Sequence, residues 1–226
     1  PLTGFWTETV RPSPYCIPEG NSNKEEIMRN TKTSNMTIMA LMTAVLLIFA
    51  CTPIGTIPIG PLSISLNMIP VAICAVAMGP AGGAAAGAIF GLLSFLQCFG
   101  IGIPSGMGII LVGINPFLAF IQRFVPRLLD GLLLGYIFRA LSKKNVYAAC
   151  AVTGFFSAFL NTVFFMGALV LLFGNTEYVQ GLIAGRNIIV FICAFVGVNA
   201  VVEMVVATLI TGAVGSALFR AKVLSR

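Results

Sequence analysis

The stretch PFLAFIQRFVPRLLDGLLLGYIFRALS, residues 116–142, decides the fold, because it reads as a membrane-spanning helix that carries charges. Arg123, Arg127 and Asp130 follow the spacing i, i+4, i+7, which places them on one side of a helix. A charge at bilayer depth costs about 2.5–3.5 kcal/mol on insertion scales, so such groups usually face a bundle interior or a wet cavity. Pro126 lacks an amide hydrogen and is expected to bend the helix beside Arg127.

Two interpretations of these charges stay open. In the first, Arg127 pairs with Asp130 within the helix, and Arg123 extends its charged end toward the membrane surface. In the second, Arg127 faces a cavity that binds a ligand. The remainder of the sequence bears on the choice.

Composition indicates an integral membrane protein. Hydrophobic residues make up 58% of the 226 residues and charged residues only 9%, whereas soluble domains contain roughly 25% charged residues. At about 20 residues per spanning helix, the chain has room for five to seven helices. The net charge of +6 does not indicate a nucleic-acid partner, because most basic residues lie at predicted helix ends, where membrane topology explains them.

Several kinds of chemistry are excluded by what the sequence lacks. It contains no histidine, which removes Ser–His and Cys–His catalysis and His-ligated metal sites. It contains no GxxxxGK[ST] loop, so this chain is not expected to hydrolyse ATP or to need a cofactor. Five of its six cysteines lie in apolar segments without CxxC spacing, which is typical of small core residues.

The sequence divides into a polar leader over 1–33, a six-helix membrane domain over 34–220 and a basic tail over 221–226. Residues 1–27, ahead of Met28, are expected to be an added sequence or a disordered leader. Six helices are predicted, at about 34–51, 64–78, 80–99, 116–142, 146–173 and 186–219. Two loops rich in Pro and Gly, 52–63 and 100–115, carry no charge, and a third loop, 174–185, is polar.

Basic residues predict the orientation of the bundle. They cluster before helix 1, between helices 4 and 5, and after helix 6: Lys24, Arg29, Lys32, Arg139, Lys143, Lys144, Arg220, Lys222 and Arg226. Positive charge marks the cytoplasmic side of a membrane protein. The sequence therefore predicts an all-α bundle of six transmembrane helices with both termini in the cytoplasm.

Small residues at a spacing of four predict close helix packing. Helix 3 carries Gly79, Gly83, Gly87 and Gly91, helix 4 carries Gly131 and Gly135, and helix 1 carries Ala40 and Ala44. Small residues at i and i+4 let helix backbones approach one another closely. For the glycines, internal packing is a sufficient explanation.

Polar side chains from three helices are predicted at a common depth. Arg127, Asn161 and Asn199 each lie ~18–21 Å along their helices from the outer ends, and Glu203 follows Asn199 by one turn. This coincidence predicts a shared ligand cavity. The alternative, a buried Arg127–Glu203 ion pair that only fixes packing, stays open.

The two uncharged loops are predicted to fold over this cavity as a lid, since their apolar side chains would otherwise be exposed. An arginine that faces the cavity favours a carboxylate, and the asparagines favour hydroxyl or amide groups. The expected ligand is therefore small, partly apolar and carboxylate-bearing.

The runs TPIGTIPIGPLSISLNMIPVAICAVAMGPAGGAAAGAIFGLLSF, FVPRLLDGLLLGYIFRAL and LNTVFFMG, within residues 28–220, resemble the S-components of energy-coupling factor (ECF) vitamin transporters, most of all the pantothenate-type members. The resemblance implies a six-helix subunit of the cell membrane that binds a vitamin from outside. It implies delivery through a transmembrane coupling subunit driven by two ATPase subunits, which use the ATP. The family's A-x-x-x-A docking motif matches Ala40 and Ala44. Asn67 occupies a position where related sequences often carry a histidine, and with Arg123 it completes the candidate ligand-binding set.

Two other functions stay open at this stage, an S-component for another water-soluble vitamin and an autonomous secondary transporter. The latter would need a coupling-ion site and usually repeats of broken helices, and no convincing repeat is visible. An intramembrane enzyme is disfavoured, because the sequence has no histidine and no acidic dyad.

Overall fold

The structure is a computed structural model that describes residues 19–53, 55–59, 62–183 and 188–221. Within these ranges the side chains of 19–32, 56–59, 62–64, 188–196 and 198–199 are not described. The elements in chain order are α1 (Glu19–Cys51), β1 (Thr56–Ile59), β2 (Leu62–Ser65), α2 (Met68–Leu96), α3 (Gly106–Ile114), α4 (Pro116–Leu141), α5 (Val146–Phe173), α6 (Glu177–Ile183) and α7 (Ile188–Arg220). The described chain is thus largely helical.

Helix α2 contains the predicted turn between helices 2 and 3. Gly79 has φ 71° and ψ −157°, a conformation that a residue with a Cβ rarely adopts, and Pro80 begins the next helical run. The first half begins at Met68 rather than at residue 64, because residues 62–65 form a strand. The break in helical geometry lies at the predicted Gly-Pro position, within one kinked helix, and the division into two membrane helices stays a prediction.

The glycine ladder packs α2 against α4. An added Cβ on Gly83 would collide with the carbonyl oxygen of Gly131, and one on Gly131 would collide with that of Gly83. An added Cβ on Gly87 would collide with the carbonyl oxygen of Arg127. The two backbones therefore touch, as small residues at i and i+4 allow. This contact fixes the face that α4 turns toward the bundle.

Three segments predicted as loops contain regular structure. Residues 56–59 and 62–65 form an antiparallel hairpin that pairs Thr56 with Ser65 and Ile59 with Leu62. The loop prediction for 100–115 was wrong over α3, and that for 174–185 was wrong over α6. In the first case the glycines were interpreted as helix breakers, yet Ser105 caps α3 by accepting a hydrogen bond from the amide of Gly108 at 3.3 Å.

Helices α3 and α6 cover one end of the bundle. Met107 and Leu111 of α3 pack in one buried cluster with Leu169 and Phe173 of α5 and Val179 of α6. The basic turn at residues 142–145 connects α4 to α5 at the other end. The end covered by α3 and α6 is called the capped end below.

Helix α1 begins at Glu19, earlier than the predicted residue 34, and leaves much of its surface uncovered. Among the described residues, four helical segments are long and apolar enough to cross a membrane: Thr33–Cys51, Met68–Phe99, Val146–Phe173 and Ala200–Arg220. The charges of α4 keep that 26-residue helix out of this group. The protein is a multi-pass membrane protein, and one side of α4 carries buried charges while the other is exposed.

Candidate ligand site

The charges of α4 face the interior of the bundle. Arg123 is 6% exposed, Arg127 is 5% exposed and Asp130 is fully buried. Their i, i+4, i+7 spacing and the glycine contact with α2 together turn this side of α4 inward. Extension of Arg123 to the membrane surface, one of the two early interpretations, is therefore wrong.

Arg127 lies between two aromatic rings. Its guanidinium carbon is 4.9 Å from the centre of the Phe90 ring on α2 and 4.8 Å from that of Phe165 on α5. Cations are attracted to the faces of aromatic rings at such distances, and more strongly where water is excluded. One guanidinium nitrogen donates a hydrogen bond to the carbonyl oxygen of Arg123 at 3.1 Å. The Nε of Arg127 is buried and has no hydrogen-bond partner within the protein.

No ion pair occupies Arg127 within the described part of the chain. Both carboxylate oxygens of Asp130 are buried without a hydrogen-bond partner. Glu203 has its carboxylate engaged elsewhere, and neither acid forms an ion pair with Arg127. The two purely structural interpretations, pairing with Asp130 or with Glu203, are therefore not realised, and the guanidinium keeps donors for another anion.

Arg123 lies one turn toward the capped end. It donates hydrogen bonds to the hydroxyl of Ser105 at 3.0 Å and to that of Ser94 on α2 at 3.5 Å. Its guanidinium carbon is 5.0 Å from the centre of the Phe165 ring, the ring that Arg127 also contacts. The two arginines thus flank one aromatic side chain, and the Nε of Arg123 is also unpartnered.

Glu203 and Asn67 both hold the β-hairpin. The backbone amide of Ser65 donates a hydrogen bond to Oε1 of Glu203 at 2.6 Å. Nδ2 of Asn67 donates to the carbonyl of Gly55 and to the hydroxyl of Ser65, each at 3.4 Å. Because Glu203 is on α7, its bond joins the hairpin to that helix. The predicted ligand-binding roles of both residues stay predictions.

Asn161 and Gln122 supply neutral polar groups. Asn161 on α5 is 8% exposed, its Oδ1 is unpartnered, and it precedes Phe165 by one turn on the same face. Gln122 on α4 is fully buried with neither amide atom partnered. Asn199 lies within α7, but its side chain is outside the described residues.

The sequence reasoning missed Gln122. Gln122 directly precedes Arg123 in the sequence. It lies two turns before Asp130, on the same side of α4. An uncharged side chain in an apolar helix gives a weaker signal than an arginine. Extending the i, i+4 count backward from Asp130 through Pro126 would have reached it.

This arrangement of side chains can bind a small anionic ligand that also carries neutral polar groups. A buried, unpartnered polar atom costs about 1–3 kcal/mol, and more when it is charged. Five side chains here carry such atoms, namely Gln122, Arg123, Arg127, Asp130 and Asn161. Guanidinium groups favour carboxylates because two parallel N–H donors match two oxygens. Amide groups match hydroxyl and amide partners.

A family model described as "ECF transporter, substrate-specific component" matches residues 34–215. The chain belongs to this family. Its members are transporter components and not enzymes. The match spans all the elements that form the buried arginine cluster.

Two curated relatives carry names that specify a substrate. The pantothenate transporter PanT of Leuconostoc mesenteroides is 29% identical over 200 residues, which cover 84% of this chain and 95% of that protein. The pantothenic acid transporter PanT of Lactococcus lactis subsp. cremoris is 24% identical over 209 residues, or 86% of this chain and 98% of that protein.

A solved structure supports the fold. The structure of ThiT from Listeria monocytogenes superposes with a TM-score of 0.54 and 19% identity, covering 80% of this chain and 95% of that one. This ECF substrate-specific component therefore shares the ThiT fold.

Proposed function

We propose that this ECF substrate-specific component binds pantothenate on the outer side of the cell membrane and delivers it to an ATPase-driven coupling module. Pantothenate carries one carboxylate, an amide and two hydroxyl groups on a short, partly apolar frame. In this proposal Arg127 binds the carboxylate of pantothenate, and Asn161 and Gln122 form hydrogen bonds with its amide and hydroxyl groups.

One observation carries the proposal. The guanidinium of Arg127 is 5% exposed, forms no ion pair among the described residues and has a buried, unpartnered Nε. A buried cation that forms no direct ion pair is costly in a membrane protein, so its free donors favour an anionic ligand. The two relatives named as pantothenate transporters support the identity of that anion.

The proposal includes six membrane spans with both termini in the cytoplasm. In this proposal the bend at Gly79 separates two spans within Met68–Phe99, and α1, α4, α5 and α7 supply the other four. Four of the described segments have the length and hydropathy of a membrane span, with Met68–Phe99 counted as one and α4 not among them. The basic turn at 142–145 then lies in the cytoplasm, in agreement with the positive-inside rule. The capped end faces outside, where the vitamin enters.

Calorimetry on the purified protein tests the substrate. Pantothenate is expected to bind at submicromolar concentration, and panthenol, which has a CH₂OH group in place of the carboxylate, is expected to bind much more weakly. A panel of other water-soluble vitamins serves as the control. Heat with a different vitamin and none with pantothenate would refute the substrate and support another member of the same family.

The partners are a transmembrane coupling subunit and two ATPase subunits, and ATP is used by the latter. Ala40 and Ala44, both exposed on α1, provide a surface of small residues for that contact. The double variant Ala40→Trp/Ala44→Trp is expected to bind pantothenate normally and to lose ATP-dependent uptake in the assembled transporter. Uptake by this chain alone in proteoliposomes, without partners or ATP, would instead identify an autonomous transporter.

A further inference from the structure

Arg123 contacts three different elements of the bundle. Its guanidinium donates to Ser94 near the end of α2 and to Ser105 at the start of α3, and it lies 5.0 Å from the centre of the Phe165 ring of α5. An arginine has five N–H donors in a fixed planar arrangement, so it can hold several partners in one geometry.

Ser105 links Arg123 directly to the fold of α3. The Ser105 hydroxyl accepts a hydrogen bond from the amide of Gly108, which caps the helix, and it also accepts one from Arg123 at 3.0 Å. A Cβ added at Gly108 would lie 2.9 Å from a terminal nitrogen of Arg123 and 2.6 Å from Sγ of Cys98. The glycine at 108 therefore allows α3 to seat on the guanidinium.

Arg123 and Arg127 share contacts. The carbonyl oxygen of Arg123 accepts a hydrogen bond from Arg127, and both guanidinium groups contact Phe165. A displacement of α3 that pulls on Arg123 thus acts on the ring against which Arg127 lies. The side chains of Arg123 and Phe165 therefore connect Arg127 to helix α3 at the capped end.

We infer that Arg123 is a positioning residue that holds α3 closed over the bound ligand, and not a group that contacts the carboxylate. Two of its donors are committed to serines, one in α2 and one at the start of α3. In this arrangement Arg127 determines which ligand is held, and Arg123 determines how long it is held. The inference rests on the proposed function where dissociation of pantothenate is the measurement.

Rates of pantothenate binding and release separate the two roles. Arg123→Gln is expected to raise the dissociation rate of pantothenate about tenfold, because one hydrogen bond from a charged donor is lost. The association rate is expected to change little. Ser105→Ala is expected to give a similar increase, and the double variant is expected to be no worse than Arg123→Gln. Arg123→Lys, which keeps the charge and can reach one serine, is expected to restore part of the residence time.

Two controls distinguish a positioning role from a ligand contact. Ser94→Ala removes the other serine bond without touching α3, so its dissociation rate is expected to change less than that of Ser105→Ala. The ratio of affinities for pantothenate and panthenol is expected to be the same in Arg123→Gln as in the unmodified protein. A selective loss of pantothenate affinity, additive effects of the two α3-linked variants, or an unchanged dissociation rate would each overturn the inference.

A ligand-free measurement keeps the inference testable if pantothenate is not the substrate. Amide hydrogen exchange over residues 106–114 reports local opening of α3. Arg123→Gln is expected to speed this exchange without altering exchange in the α2–α4 contact, and Arg123→Lys is expected to slow it again. Equal exchange in α3 with and without the arginine would overturn the inference independently of any vitamin.

Discussion

Replacing Arg127 by glutamine removes a buried cation that forms no direct ion pair among the described residues. Glutamine keeps a hydrogen-bond donor near the same depth, so the change isolates the charge and the second donor. The variant is expected to fold, because the described hydrogen bond of the Arg127 guanidinium goes to the backbone carbonyl of Arg123 and no described residue forms a direct ion pair with it.

The magnitude follows from the number of donors that a carboxylate would use. Two hydrogen bonds to a charged group are worth about 1.5–3 kcal/mol each, or about 3–6 kcal/mol together. At 1.4 kcal/mol per tenfold change, pantothenate affinity is expected to fall by about 10²–10⁴. Panthenol affinity, which has no carboxylate to lose, is expected to change by less than about tenfold.

Calorimetry with both ligands on purified Arg127→Gln provides the measurement. Arg139→Gln is the matched control, since Arg139 is an exposed arginine on the same helix, and it is expected to bind like the unmodified protein. Elution volume and helical content of both variants establish that they are folded. Pantothenate affinity within threefold of the unmodified value would return Arg127 to a structural role and refute the reasoning.

Five further variants, at four positions, test other parts of the structure. Gly83→Leu is expected to abolish the folded protein in a detergent-stability assay, because its side chain meets backbone, whereas Gly113→Ala, which meets open space, is expected to be tolerated. Gln122→Leu is expected to weaken pantothenate binding about tenfold while raising the melting temperature of the ligand-free protein, because it removes an unpartnered buried amide; tighter binding would contradict this. Glu203→Gln keeps an acceptor for the Ser65 amide and is expected to bind normally, whereas Glu203→Leu is expected to weaken binding.

Much of the helical framework could be predicted from composition and small-residue spacing. The turn at Gly79-Pro80 and the contact between the glycines of α2 and α4 follow from local sterics, which a sequence displays directly. The inward side of α4 could be predicted because charged side chains are costly in the hydrocarbon of the bilayer and therefore face the interior of a bundle.

The elements of the capped end could not be predicted in the same way. Gly106, Gly108 and Gly113 indicate a broken chain, but α3 forms because its apolar side packs into the bundle and Ser105 caps it. Tertiary contacts override intrinsic propensity in such short helices. The hairpin at 56–65 was missed for a similar reason, since its anchor, Glu203, is distant in sequence.

The site residues also divide into those that local sequence reveals and those that depend on the fold. Arg127 could be found from its charge alone, but the partners of Arg123 are serines on two other elements, which no local spacing reveals. Gln122 gives no charge signal, and Asn67 holds the hairpin through contacts that depend on the fold.

The phenyl ring of Phe165, which lies between the two guanidinium groups, has a consequence for how variation in this protein is interpreted. An exchange of Phe165 for leucine would leave hydropathy and membrane insertion nearly unchanged, yet it would remove the electron-rich faces that both cations share. Substitutions at such an apolar position would be ranked as neutral by any method that scores residues by polarity alone. Transport phenotypes without a polar substitution are therefore to be sought first on this side of α5.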